Sequence, residues 1–491
     1  MKSGFLNKTI VSFITVTIIV SCIDKNVYKG DKEPDNPTPP STYSAYLYPF
    51  NDEVQNAIVE IVIQSKTEVK ANDIIAEIPY LKSNKSWLFI LAQDDCKHAA
   101  YCRTWAAING KPISSSELYP TKPNPSDLYY DAAQLDAGDL PPTIIQPSGT
   151  LGSTDGNGNE VRFAFTTTLS PEEDWMNSKP NINLGYTNNY YRFYMKKGLI
   201  WDNVKEMLNY GTGIALHDMK TSNTNDPITL LEHFHIAQSI INEKLSGRGS
   251  KFLAEPNGNK TYITAAKQYD DIQTMTAQSG GITLYPFKVT DDLRQFLIQR
   301  DFIEPDNIKQ QITTQLALPK EDRKGICIGV HSTDNAWVDF LKWLNNSYGK
   351  DGDDSVWFPS QEEYYEYNYY RINGSVNRTQ VNKNTIKLTI QLPSGKNFYY
   401  PSISVNLDGI KKEEIISISS SNTVTGFSYG NYKNGLTMNI DCRKHLYDHA
   451  VHYVERYLKE KSNKNKKADA RYFVNMLKES SEKTGLLKQL E

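Results

Sequence analysis

Residues 86–95, SWLFILAQDD, close an apolar run on two adjacent carboxylates, Asp94 and Asp95. Neighbouring like charges are costly to hold together unless a cation or a shared proton offsets them, so the pair suits a divalent metal or a general base. The run before them reads as a strand buried on both faces. Side chains alternate faces along a strand, so both acids can serve one site only where the strand stops and the chain turns. The C-terminal rim of a β/α barrel is such a place. Two solvated loop acids after a core strand would present the same residues.

Other expected strands also end in polar residues. The segments 213–217 (GIALH), 251–255 (KFLAE) and 325–331 (GICIGVH) lead to His217-Asp218, Glu255-Pro256-Asn257-Gly258-Asn259 and His331. Helices are expected at about 99–108, 203–209, 227–245, 290–300 and 338–348, with further apolar segments at 272–277 and 282–287 and a strand-helix pair in SVWFPSQEEYYEY. Strands alternating with helices imply parallel β/α units, in a barrel or a doubly wound sheet. Residues 109–190 are rich in Pro, Gly, Asn, Ser and Tyr and read as an ordered insertion.

The order of these features is similar to the polysaccharide deacetylase superfamily, the NodB-homology group. Asp-Asp ends the first strand, a glycine-led strand after a helix closes on His217, a Pro-containing loop follows the next strand, and a late apolar strand closes on His331. The VWFPSQEEYYEY segment resembles the tryptophan-bearing strand and helix that close that barrel. The resemblance spans about residues 85–372, interrupted by 109–190. It implies that Asp94 is the catalytic base, that Asp95 and His217 bind a divalent metal, zinc foremost, and that His331 is the general acid. Asn257 and Trp357 are the implied substrate contacts. A bound metal would polarise an acetyl carbonyl and lower the pKa of its water, Asp94 would take the proton, and His331 would protonate the departing nitrogen or oxygen. No serine nucleophile is needed, and the chain has no G-x-S-x-G elbow.

Two positions depart from the family pattern. Its second metal histidine is here Thr221, and its arginine two residues before the proline is here Ala254, beside Glu255. Asp218 and Glu255 are the further candidate ligands. His233 and His235 could also fill the gap, although they lie in the helical stretch LLEHFHIAQSII, where ordinary packing is expected.

The chain opens with Lys2 and Lys8 before the apolar run 10–20, too short to cross a bilayer as an ordinary helix. Ile19-Val20-Ser21-Cys22 resembles a bacterial lipoprotein signal, which implies a membrane anchor on Cys22 at the cell envelope, on a periplasmic or surface face. The expected organisation is a signal at 1–22, a polar, proline-rich tether at 23–42 and a leader at 43–84. A NodB-like distorted β/α barrel at 85–373 carries the large insertion 109–190. A β-sandwich-like module at 376–443 contains TIKLTIQL, FYYPSISVNL and LTMNID, and a helical tail at 444–491 is broken by SNKNKK. The fold class is therefore α/β with an added β module.

Composition narrows the partners. Net charge is only -3, so no basic excess exists to neutralise nucleic-acid phosphates. The 31 Tyr and 7 Trp suit a polysaccharide or oligosaccharide, whose C–H faces stack on rings. Cys96, Cys102, Cys327 and Cys442 contain no C-x-x-C pair, which argues against a zinc finger. Export permits a Cys96–Cys102 disulfide, and two buried thiols fit equally. His445, His449 and His452 share a helix face beside an apolar stripe and read as packing. Asp155, Asn157 and Asn159 lack the glycine and the last acid of a calcium loop and read as a hairpin turn. Glu362, Glu363 and Glu366 could serve a glycosidase but read as the solvated face of the closing helix. The leading functional expectation is a metal-dependent deacetylase acting on a glycan. A noncatalytic glycan-binding lipoprotein on the same barrel and a glycoside hydrolase are the alternatives.

Overall fold

Among the described residues, eight parallel strands position the polar strand ends. The computed structural model describes residues 45–111, 113–114, 144–145, 149–177, 198–220 and 225–491. The signal, the tether, Cys22, Thr221 and much of 109–190 lie outside the described residues. The strands are β1 (Trp87–Gln93), β2 (Thr166–Leu169), β3 (Gly213–Leu216), β4 (Phe252–Ala254), β5 (Thr274–Ala277), β6 (Leu297–Gln299), β7 (Ile326–Val330) and β8 (Val356–Trp357). Their order is β6-β5-β4-β3-β2-β1-β7, and β8 pairs with the start of β1. A single parallel bridge, Asp301 to Ile328, brings the two ends of this order together. The sheet is thus curled and barrel-like, flanked by helices such as Pro227–Lys244, Pro305–Leu316 and Asn335–Tyr348.

Burial explains the strand sequences. All seven residues of β1 are buried, as expected of a parallel strand covered on both sides. Two strands fall where others were expected. β2 lies within the segment read as an insertion, and it joins β1 to β3. Its TTTL sequence is polar but β-branched, which suits a pleated, enclosed position. β6 lies in residues 290–300, where a helix was expected. There Gln295 N–H and Arg300 N–H donate to Gln273 and Ala277 carbonyls, so the neighbouring strand supplies the bonds a helix would make locally.

Two four-stranded antiparallel sheets lie alongside. One has the order Ser375–Asn382, Thr385–Leu392, Ala57–Ser65, Ile415–Ser420; the other runs Gly426–Tyr432, Gly435–Asp441, Ser402–Asp408, Ile75–Glu77. Ala57–Ser65 alternates buried with more exposed residues, and its Val59, Ile61 and Ile63 share one core with Ile403, Val405 and Leu407. The expected leader therefore supplies a strand to each sheet. The helices Leu446–Leu458, Lys464–Asn475 and Ser481–Lys488 contribute to the barrel core. Asp155 accepts from the Asn157 and Asn159 N–H groups in a hairpin turn, and all four described cysteines are free and buried.

The closing helix Gln361–Asn373 departs from expectation in one respect. Glu362 and Glu366 are not solvated but fully buried. Glu362 contacts Arg248 at 2.8 Å and Lys251 at 3.1 Å, and Lys251 reaches Glu366 at 2.8 Å. Glycine opens β3 because a Cβ at Gly213 would sit 3.0 Å from the Glu362 carboxylate, whose Oε2 accepts from Ile214 N–H.

Candidate active site

The end of β1 turns its two acids into one place. Asp94 still belongs to the ladder, donating its N–H to Val330 O, whereas Asp95 and Cys96 take left-handed conformations with φ 59° and 50°. Asp tolerates that region better than most residues, and the turn lets consecutive side chains face one site. Cys96 N–H then donates to Thr168 Oγ1, which ties the turn to β2. His217 follows β3, and its Nε2 lies 3.4 Å from Asp95 Oδ1 and 3.9 Å from Asp94 Oδ2. Its Nδ1 donates to Ala254 O at 2.7 Å, which fixes the tautomer and leaves the Nε2 lone pair for the site.

Asp95, His217 and Asp218 offer ligand atoms within 4.8 Å of one another. The charge balance of the rim fits a divalent cation. Asp94 Oδ2 and Asp218 Oδ1 are buried without a hydrogen-bond partner, and two carboxylates with an imidazole form a donor set that zinc accepts. Burial, together with Asp95 and Asp94, pushes the Asp218 carboxyl up against the pull of His217. Burial also works against Asp95, but His217, Lys97 and His331 outweigh it and hold that carboxyl at about 2. For His217, burial favours the neutral ring, and the Asp94 and Asp95 charges reverse the balance and raise it. A cation would compete with a proton for this histidine.

Arg300, at the end of β6, supplies what Ala254 lacks. Its Nη1 donates to Asp94 Oδ1 at 2.5 Å and its Nη2 to Glu255 O at 2.7 Å. The guanidinium thus holds the acid and fastens it to the end of β4. Sequence reasoning passed over Arg300 because residues 290–300 read as helix. The signal was a short apolar run, Phe296–Ile298, closing on a charged pair as β1 does.

The chain as a whole was then compared with known families. The family model described as "Putative polysaccharide deacetylase" matches residues 59–491. The chain belongs to this family. No curated protein matches it. Membership in the polysaccharide deacetylase family implies a polysaccharide substrate and agrees with a metal-compatible Asp-His-Asp group.

The remaining candidates of this polysaccharide deacetylase family member divide by position. His331 follows β7 on the same rim, exposed, with its ring 5.2 Å from that of Phe302. Asn257 is exposed in the loop after β4, with φ 51°. The Glu255 carboxylate is not part of the Asp-His-Asp group: its Oε1 is 2.6 Å from Lys260 Nζ and its Oε2 accepts from Gln278 N–H. His233 is 2.6 Å from Glu172, and His235 lies against the Tyr269 ring. Trp357 is apart from the site. It pairs with Leu88, roughly 20 Å along β1 from Asp94 at 3.3 Å per residue, and its buried ring meets Tyr364 and Tyr367.

Proposed function

We propose that the protein hydrolyses acetyl groups from a glycan, with the rim of β1, β3, β6 and β7 as its active site. One observation carries the reading: Asp94 is fully buried, one oxygen is held by Arg300, and the other is unpartnered beside His217. A carboxylate so placed can accept a proton at Oδ2 without losing its orientation. In this reading Asp95, His217 and Asp218 hold a divalent cation, zinc foremost, which when bound would polarise the acetyl carbonyl and acidify a water. Asp94 takes the proton of the attacking water. Arg300 keeps Asp94 aimed through its hydrogen bond to Oδ1. His331 gives a proton to the departing sugar nitrogen or oxygen, and Asn257 contacts substrate from the neighbouring loop. Glycoside hydrolysis draws no support from Glu362 and Glu366, which are enclosed in ion pairs at the other end of the strands.

The deciding experiment is acetate release from a panel of N- and O-acetylated glycans by metal-stripped and metal-reloaded protein. Release that depends on metal and is lost in Asp94→Asn is expected. Glycan binding without any release would leave a noncatalytic binding protein. We further infer that Cys22 carries a lipid that tethers the body to the cell envelope. Membrane fractionation should follow Cys22, with Cys22→Ala moving the protein to the soluble fraction.

A further inference from the structure

Beside His331 the rim opens into a groove of about 770 Å³, within the range of small-ligand sites. Its wall is built around Phe302, which follows β6. The ring lies against Gly329 of β7, where a Cβ would come within 2.4 Å of it, and it remains 36% exposed. Three carboxylates, Asp301, Glu304 and Asp334, line the same groove. None of them makes an ion pair with a lysine or arginine among the described residues. Asp301 accepts from Gln311 and Asp334 from Trp337 N–H, which leaves each with oxygen lone pairs to spare. Among the described residues, no lysine lines the groove. Its basic groups are His331 and Arg300; the buried Arg300 guanidinium donates to Asp94 and to Glu255 O and lies 5.1 Å from the centre of the Phe302 ring, so the platform offers its remaining exposed surface.

A groove with an aromatic platform, three carboxylates without a lysine or arginine ion pair, and a link to the candidate base through Arg300 is selective by charge. We propose that it receives a sugar carrying a free, protonated amine, so that the substrate is a partly deacetylated amino-sugar chain. The sugar's C–H face stacks on Phe302, and the ammonium faces Asp301, Glu304 and Asp334. An N-acetylated neighbour offers no charge to these acids, and a uronic acid is repelled by them. The inference rests on the deacetylase reading of the adjoining rim. It also gives the activity a place in a sequence: a chain already relieved of some acetyl groups is the preferred one.

The test is calorimetric binding of glucosamine and N-acetylglucosamine tetrasaccharides to the full chain, read without turnover. The amine form should bind about tenfold more tightly, with a preference that shrinks at high salt. The triple variant Asp301→Asn/Glu304→Gln/Asp334→Asn should bring the ratio close to one, while Phe302→Ala weakens both ligands. Glu304 makes no side-chain cap to its helix, so Glu304→Gln alone should lower the ratio about threefold in a folded protein. Equal binding of the two ligands by the wild type overturns the proposal, as does a ratio unmoved by these variants. An intact amine preference without acetate release from any glycan would instead sink the deacetylase reading alone.

Discussion

The two ends of the barrel-like sheet each gather charged residues, and they treat them oppositely. At the end where the strands begin, Arg248 and Lys251 meet Glu362 and Glu366, two cations with two anions, and every carboxylate oxygen has a partner. The Arg248 guanidinium also lies over the rings of Phe50 and Tyr399. At the end where the strands finish, Asp94, Asp95 and Asp218 share a site with Arg300, Lys97 and His217, and two buried acid oxygens have no hydrogen-bond partner. Compensated carboxylates hold an architecture together, whereas an acid surplus stores affinity for a cation and for protons in transit. Charge alone does not mark an active site; uncompensated charge does.

The largest expected effect would test the closed end. Lys251→Met removes the cation shared by Glu362 and Glu366 and should cost about 3–5 kcal/mol of stability in denaturant titration, because it leaves buried charge uncompensated. Turnover per folded molecule should change little. A variant that unfolds at the wild-type midpoint would erase the contrast between the two ends.

Asp94→Asn probes the open end. Turnover should fall about 100-fold or more, with the melting temperature nearly unchanged and glycan affinity retained. Loss of stability comparable with that of Lys251→Met would mean that Asp94 is there for the fold.

The smallest effect sharpens the comparison through pH. Burial pushes the Glu362 carboxyl up, but Arg248 and Lys251 outweigh it and hold it below its ordinary 4.5. Its contribution is present above that value and is lost as pH falls through the depressed folded value, so wild type and Glu362→Gln should converge in acid. Asp218 runs the other way. Its raised carboxyl costs stability once pH climbs past its ordinary 3.8 toward the folded value. Metal-free Asp218→Asn should therefore be slightly more stable than wild type at neutral pH, with the gap closing toward pH 3.8. The same variant should lose divalent-cation affinity, measured by calorimetry, and Glu255→Gln should keep it.

Much of this geometry was legible from residue order. An apolar run closing on Asp94-Asp95 announces a buried strand and a turn, and His217 and His331 announce two more strand ends. The choice between Asp218 and Glu255 was not legible, since each is an acid at a strand end. Lys260, the first residue of the next helix, engages Glu255, while Asp218 Oδ1 has no hydrogen-bond partner. Glu362 and Glu366 read as solvated because their partners are far away in sequence, with Arg248 and Glu362 separated by 114 residues. The run Thr166–Leu169 hid as a strand because its threonines are polar, although their branching favours a pleat.

Sequence by itself determined where β1, β3, β4 and β7 end and that those ends carry polar residues, because periodicity and abrupt polarity changes are local properties. It also carried the family, whose match extends over residues 59–491. Only the tertiary structure decided which charges are paired. Arg300 reaches Asp94 across 206 residues because closing the sheet brings the end of β6 beside the ends of β1 and β7. Such neighbours are set by strand order and register, and those depend on packing summed over the whole core rather than on any local run of residues.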